Sequence, residues 1–295
     1  MPHPKFSALA SHAPTPPEDS PVTPDDELDE GTSPILLRNE ECREAIVEEV
    51  TGTVTTVGVG CFVPFRNVMV GCPTADPVTR VAHRASDGSR YEGDWLRGLR
   101  HGHGTCVWPS GTVYIGQWRE DIGHGEGEFR DSAGESFNGQ FSDGQAHGHG
   151  EYLKVDGTLY VGSFHRGQKH GVGKVVWADG SMYEGQVRWG ELAGKGVYTS
   201  TSKRYEGTWE RSVMHGEGQF EWTDGRSYRG QYENDRKSGQ GVFSWPDGRR
   251  YDGQWSRGRQ HGVGVWTTAR GEVKQGLWVD GRNVGWTGEL DEVEI

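Results

Sequence analysis

The most constraining feature of this sequence is a repeat that fills its C-terminal two thirds. An aromatic residue returns every 23 residues at Tyr91, Tyr114, Phe137, Tyr160 and Tyr183. After one step of 22 residues the series continues at Tyr205, Tyr228 and Tyr251, and a shortened ninth unit begins at Lys274. A period of this length indicates a repeat architecture, in which no unit can bury its own apolar surface and each depends on its neighbours.

Each unit begins with an alternation that is typical of a β-strand. Glycine stands two residues after every start, and a large apolar residue stands two residues after that glycine, as in Tyr91, Gly93 and Trp95. Residues two apart lie on the same face of a strand. A glycine between two rings leaves room for neighbouring side chains to lie across the backbone. The first half of each unit is therefore predicted to be a strand with one aromatic face.

The second half of each unit alternates in the same way, as Gly171, Gly173, Val175 and Trp177 show. Short polar links join the two strands, and turns such as "WADG" and "WPDG" join the units, with Asp-Gly supplying the positive φ that tight turns need. We therefore predict an all-β fold: an elongated, single-layer antiparallel β-meander of tandem 23-residue hairpins. Because the fifth unit lacks one residue near "TSTSKR", we expect a bend or an irregular turn near residues 199–204.

The repeat resembles the MORN repeat (membrane occupation and recognition nexus), whose signature runs YxGxWxxGxxxGxGxxxxxxG. The first unit, "YEGDWLRGLRHGHGTCVWPSGTV", matches nearly every defined position, and the resemblance covers residues 91–286 with eight repeats and a partial ninth. It departs from the signature in the fifth unit, where Val187 replaces the aromatic of the first strand. MORN-only proteins are commonly found at cytoskeletal structures, including axonemes, radial spoke heads and basal bodies. The resemblance therefore implies a rigid scaffold rather than an enzyme.

The segments outside the array divide into three regions. Residues 1–34 are rich in proline and acid, which predicts a disordered tail. Residues 35–90 are predicted to hold a short helix capped by Asn39, strands within 53–70, and a degenerate cap repeat near 80–90 that ends in an Asp-Gly turn. Residues 287–295 form an acidic C-terminal tail.

Charge and composition exclude several partner classes. The formal net charge is −12, of which −7 falls on residues 1–90 and −4 on residues 287–295, so the array carries about −1. These totals indicate neither nucleic acid nor an anionic membrane as the expected partner. The four cysteines show no CxxC spacing, and the chain shows neither a signal-peptide pattern nor an 18-residue apolar run. We therefore expect free thiols and a cytoplasmic location.

The sequence patterns do not support a metal site, a phosphate-binding site or a catalytic site. The repeated histidines, such as His101 and His124, lie in one column whose members fall two strands apart, roughly 9–10 Å, too far to share a metal ion. The glycines follow the strand period and match no phosphate-binding motif. Acidic residues such as Glu92 and Glu206 repeat as outward strand positions, and no nucleophile has a base beside it. We therefore expect no catalytic residue, no cofactor and no metal.

The aromatic face is the remaining candidate for a functional surface. A groove lined by rings suits an extended peptide or an amphipathic helix, because Tyr and Trp offer large contact areas at low entropic cost. The candidate groove residues are Tyr91, Trp95, Tyr114, Trp118, Phe137, Phe141, Tyr160, Phe164, Tyr183, Tyr205, Trp209, Tyr228, Tyr232, Tyr251 and Trp255.

The leading hypothesis is a non-enzymatic scaffold that binds protein partners. The resemblance implies a place in a cytoskeletal, ciliary or flagellar assembly, at an axoneme or basal body, either as a homodimer or within a larger axonemal complex such as a radial spoke. The alternative is a peripheral module that binds membranes or phosphoinositides, which the family name suggests and the charge distribution does not favour. A third class, carbohydrate binding by aromatic–glycine repeats of exported wall proteins, is less favoured because no signal peptide is present.

Overall fold

The computed structural model describes residues 79–287, which form one antiparallel sheet of 19 strands with no helix in that range. The strands in chain order are β1 Thr79–Arg84, β2 Arg90–Leu96, β3 Leu99–Val107, β4 Val113–Arg119, β5 Ile122–Arg130, β6 Ser136–Ser142, β7 Gln145–Leu153, β8 Leu159–His165, β9 Gln168–Val176, β10 Met182–Arg188, β11 Glu191–Thr199, β12 Lys203–Glu210, β13 Val213–Trp222, β14 Ser227–Glu233, β15 Arg236–Ser244, β16 Arg250–Ser256, β17 Arg259–Thr267, β18 Val273–Val279 and β19 Arg282–Trp286.

Every strand pairs only with the strand before it and the strand after it. The register places glycine opposite glycine across hairpins and between them, as in Gly93↔Gly104 and Gly104↔Gly116. Glycine also lies opposite glycine between β9 and β10, whereas in the last hairpin Gly276 lies opposite Trp286. The predicted all-β antiparallel meander in a single sheet is therefore confirmed.

Each hairpin of a full repeat contains a bulge that the alternation of the sequence does not reveal. Between Gly93 and Trp95 the register shifts, so that Trp95 lies opposite Arg100. The two turn residues that follow both have positive φ, 52° at Arg97 and 76° at Gly98. This combination is that of a type I′ turn, whose twist matches the strands that it joins. A non-glycine residue thus occupies the left-handed region in every hairpin turn, and in the fifth repeat that residue is Trp189.

Additional strands extend the sheet at both ends of the eight full repeats. Strand β1 pairs with β2 in the register Thr79↔Trp95 to Arg84↔Arg90, and the Asp87–Gly88 turn joins them, where a cap repeat was predicted. At the other end, β18 and β19 form a shorter ninth hairpin.

The missing residue of the fifth repeat does not disturb the sheet. Strands β11 and β12 pair without a bulge up to Thr199↔Arg204. The deletion is absorbed in the link, where the Ser200 N–H donates to the carbonyl of Lys203 at 2.8 Å. No bend interrupts the sheet, and the expected irregularity is confined to the turn, which is one residue shorter than in the other repeats.

The two faces of the sheet differ sharply. We call the face that carries the Tyr91, Gly93 and Trp95 columns the aromatic face and the opposite one the outer face. The aromatic face holds the hydrophobic core, and the reduced thiol of Cys106 lies buried there. Within residues 79–287 no helix is long and apolar enough to span a membrane. The predicted tail at 1–34, the helix capped by Asn39 and the strands within 53–70 lie outside the described residues, as does the predicted tail at 287–295 except for its first residue.

Candidate functional site

Fourteen of the fifteen candidate groove residues are buried, and Trp95 is partly buried. The repeat tyrosines are covered completely or nearly so, with exposures from 0% at Tyr160 to 4% at Tyr91. As residues that contact a partner these fifteen remain a prediction. In the structure of the chain alone, they form the core of the sheet.

The burial results from a ladder of rings that runs from repeat to repeat. The Tyr91 ring meets Trp118 of the next repeat edge to face, with centroids 5.3 Å apart and an interplanar angle of 84°. Trp118 in turn meets Tyr114 at 5.0 Å. Edge-to-face geometry is the favoured arrangement of aromatic pairs. It contributes about 0.5–1.5 kcal/mol of stability beyond that gained from burying the surface of the rings. The large ring of a repeat therefore covers the tyrosine or phenylalanine of the repeat before it, except in the fifth repeat, where Val187 stands in place of the ring.

Glycine pairs and a backbone carbonyl hold the tyrosine rings in place. A Cβ atom on Gly104 would collide with the Tyr91 ring, because the ring lies directly on the backbone of the neighbouring strand. The Tyr91 hydroxyl donates a hydrogen bond to the carbonyl of Asp94 at 2.9 Å, in the bulge of its own hairpin. The tyrosines of six other repeats donate to the residue three positions later at 2.7–3.0 Å. Burial raises the pKa of Tyr91 and of Tyr251 to about 12, which keeps both hydroxyls protonated donors.

A second set of rings lies beside this core on the same face, and sequence reasoning did not include it among the candidates. We call it the rim row; its members are Phe220, Trp222, Phe243, Trp245 and Trp266. Successive centroids are 4.4, 5.6, 4.4 and 5.3 Å apart, so the rings form a continuous line from β13 to β17. The three tryptophans are only partly buried, unlike the two phenylalanines. The rim row therefore offers aromatic surface that the ladder does not.

Three cations lie against the rim row. The guanidinium of Arg226 lies 5.3 Å from the Trp222 ring, that of Arg249 lies 5.5 Å from Trp245, and the amine of Lys237 lies 4.7 Å from Phe243. Such contacts between a cation and a ring contribute about 0.5–2 kcal/mol. Each arginine also pairs with the aspartate of its own turn at 2.7 Å, which neutralises its charge locally.

The signal for the rim row was visible in the turn sequences. Trp222 and Trp245 open "WTDGR" and "WPDGR", where other repeats place Asp131, Lys154 or Ser200 in the same column. Neither tryptophan was among the candidate groove residues, although Trp222 continues the alternation of Gly216, Gly218 and Phe220 in the second strand of its repeat. The strand continues to Trp222, and its alternation directs the indole to the aromatic face.

The outer face carries a line of four rings that we call the histidine–tryptophan row: His147, His165, His170 and Trp189. Adjacent centroids are 5.2, 5.9 and 4.6 Å apart. His147 and His170 belong to the repeated histidine column, and His165, at the end of β8, lies between them. Burial and the neighbouring His147 lower the pKa of His165. Within residues 79–287 no group of three or more His, Cys, Asp or Glu side chains could hold a metal ion.

Comparison with solved structures finds distant similarity. The TCP10 domain of CPAP from Danio rerio, solved with a peptide of STIL, matches with 10% identity and a TM-score of 0.39, over 70% of this chain and 98% of that one. The TCP domain of SAS-4 (dCPAP) from Drosophila melanogaster, solved with a proline-rich motif of Ana2, matches with 10% identity and a TM-score of 0.33, over 62% and 95%. We carry no function over at values this low. No curated protein matches the chain.

A family model identifies the repeats themselves. The model described as "MORN repeat" matches eight consecutive segments: 91–113, 114–136, 137–159, 160–182, 183–203, 205–225, 228–249 and 251–273. These segments coincide with the hairpins described above and cover more than half of the sequence. The chain therefore belongs to the MORN-repeat family.

Proposed function

We propose that the array is a non-enzymatic scaffold that binds a protein partner along its aromatic face, with the rim row as the contact surface. The observation that carries this proposal is the continuous line of partly exposed tryptophans beside a closed core. Tryptophan is enriched among the residues that dominate binding energy. A line of rings across five strands spans roughly 19 Å, which suits an extended peptide of about six residues or a short helix.

The structure changes which residues should be substituted to test groove binding. Trp118, Trp209 and Trp255 are core residues whose indole N–H groups donate to glycine carbonyls at 2.9–3.2 Å, so their removal would damage the fold. Trp222 and Trp245 occupy a column in which Ser200 stands in the fifth repeat. The double variant Trp222→Ser, Trp245→Ser therefore removes the exposed rings with residues that the array already accommodates.

The experiment is quantitative affinity purification of the full-length chain from its native cells, with wild type and the double variant compared. We expect the double variant to lose its enriched partners and to keep the circular dichroism spectrum of the wild type. The matched control is Trp189→Asn, which removes an equally large exposed ring from the outer face and should keep those partners. Full retention of partners by the double variant would refute binding at the rim row.

We also propose a cytoskeletal location, at a cilium or flagellum, supported by family membership and by the setting in which MORN-only proteins are commonly found. A tagged full-length chain should co-localise with axonemal or basal-body tubulin, and a uniform distribution in ciliated cells would contradict this part of the proposal. The phosphoinositide alternative gains no support from the rim row, because Arg226 and Arg249 are each paired with an aspartate. Co-sedimentation with phosphoinositide-containing liposomes at physiological salt tests it directly.

A further inference from the structure

Trp189 combines three properties that are costly together. It lies in a hairpin turn with φ of +52°, its side chain is 52% exposed, and it contributes nothing to the core. A bulky residue with positive φ is an outlier, and strained residues of this kind cluster at functional sites. The same turn position holds Arg, Glu, Asp or Asn in the other hairpins of the array, with φ between 48° and 52°, so Trp189 is its one aromatic occupant among the described repeats.

The surroundings of Trp189 are a row of imidazole rings with an exposed arginine beside it. Its ring packs on His170 at 4.6 Å and on His165 at 5.8 Å, and His147 completes the row. Arg166, exposed in the preceding turn, is close enough to contribute to the lowered pKa of His165. Arg188, which precedes Trp189, lies opposite Glu191 in the strand register, whereas Arg166 lies in the turn next to His165, and we assign Arg166 to a ligand.

The sequence contains a segment with the complementary chemistry. Residues 14–30, "PTPPEDSPVTPDDELDE", hold five prolines, seven acidic residues and no basic residue. Proline rings stack on aromatic surfaces, and proline-rich segments bind in an extended form that loses little entropy. Carboxylates beside the prolines would pair with Arg166. The segment therefore offers prolines that can stack on the rings of the row and, next to them, carboxylates that can pair with Arg166.

The segment can reach the row within one molecule. Residues 31–78 connect it to β1, and 48 residues span up to roughly 160 Å when extended. The row begins on β7, six strands from β1, which corresponds to about 29 Å. A tethered ligand acts at an effective concentration of the order of millimolar, so a weak contact suffices for substantial occupancy.

We propose that the histidine–tryptophan row, together with Arg166, is an intramolecular docking site for the acidic, proline-rich segment 14–30 of the same chain. The site lies on the opposite face from the rim row and does not depend on the function proposed for that surface. It gives the outer face a specific occupant that other ligands must displace.

The test uses a fluorescent peptide of residues 14–30, whose binding to the full-length chain is followed by anisotropy. In one background all seven acids of the chain's own segment are changed to Asn or Gln, which frees the row. We expect the peptide to bind this background at least fivefold more tightly than the wild type. Equal binding to both would show that the segment does not occupy the row and would overturn the proposal.

Substitutions in the freed background then locate the site. Trp189→Asn and Arg166→Asp use residues found at the same turn position elsewhere, so the fold should persist, and each should weaken peptide binding at least tenfold. Arg257→Asp makes the same charge change at the equivalent turn of another repeat and should leave binding unchanged. The proposal fails if Trp189→Asn binds the peptide normally, or if Arg257→Asp weakens peptide binding as much as Arg166→Asp.

A peptide with alanine in place of the five prolines should bind at least fivefold more weakly; equal binding would refute stacking on the row.

Discussion

Lys169 is a charged residue in a position where the sheet otherwise requires apolar packing. Its side chain is 1% exposed, and its amine lies 5.1 Å from the centroid of Tyr160 and 5.6 Å from that of Tyr152. Among the residues that the structure describes, this amine has no hydrogen-bond partner. Met214 occupies the same column two repeats later and is also buried. We therefore predict that Lys169→Met stabilises the protein.

The magnitude follows from the pKa. Burial lowers the pKa of the Lys169 amine from its ordinary 10.5 to about 8. At about 1.4 kcal/mol per pH unit, this amounts to roughly 3 kcal/mol of destabilisation at neutral pH. The two aromatic rings return about 1 kcal/mol or somewhat more through cation–π attraction. The expected gain in the free energy of unfolding is therefore about 2 kcal/mol at pH 7.

The gain should depend on pH in a defined direction. Because the folded pKa lies below the unfolded one, the unfolded chain holds the extra proton between about pH 8 and pH 10.5. The penalty is complete below pH 8 and disappears as the pH rises through this window. At pH 9.5 the wild type should recover about 2 kcal/mol relative to Lys169→Met, which nearly closes the gap.

The assay is urea unfolding followed by far-UV circular dichroism at pH 7 and pH 9.5. The matched control is Lys195→Met, which removes an exposed lysine from the outer face of the sheet and should change the free energy of unfolding little at either pH. The reasoning is refuted if Lys169→Met is less stable than the wild type at pH 7. It is equally refuted if the difference between them does not change with pH.

Three further predictions concern the tyrosine ladder. Phe137→Tyr should raise the free energy of unfolding by about 1 kcal/mol in urea titrations, because the new hydroxyl can donate to the carbonyl three residues on, as the other repeat tyrosines do; no gain would argue against that bond. Gly196→Ala should cost about 3 kcal/mol, since its Cβ would collide with the ring of Tyr183. Gly98→Ala, in an open turn with φ of 76°, should cost only about 1 kcal/mol, and equal losses would refute the packing argument. Finally, because burial raises the pKa of Tyr91 to about 12 while the unfolded value is near 10, stability should fall as the pH rises above 10; an alkaline titration followed by circular dichroism would contradict this if the fold were unaffected at pH 11.5.

The fold could be predicted because the repeat period and the alternation of apolar residues can be counted along the sequence without knowing any contact. Tyr91, Gly93 and Trp95 recur together, so strand, face and hairpin follow from spacing alone. The bulge between Gly93 and Trp95 could not be predicted from the alternation of residues. It depends on the backbone at Asp94, whose carbonyl accepts a hydrogen bond from the Tyr91 hydroxyl at the point where the register shifts. The positive φ of Arg97 could not be predicted either, because in the sequence only its neighbour Gly98 signals a turn.

The candidate surface was harder to predict than the fold. Spacing places Tyr160 and Tyr183 on one face, but it does not show that rings of adjacent repeats cover one another. Conversely, His165 belongs to no histidine column, and only the pairing of β8 with β9 brings it close to His170. Trp189 was not among the candidate residues, because its exposure and its φ are visible only in three dimensions.

Sequential pairing has a consequence for how this protein is made. No strand has to wait for a partner encoded far away, because each one pairs with the strand that has just preceded it. Contacts between residues close in sequence favour rapid folding, and a hairpin can add to the growing edge while later repeats are still being synthesised. Because each strand pairs only with its neighbours in the chain, whole repeats can be gained or lost at the C-terminal edge without changing the register of the remaining repeats. The number of repeats in such an array can therefore vary without disturbing the rest of the sheet.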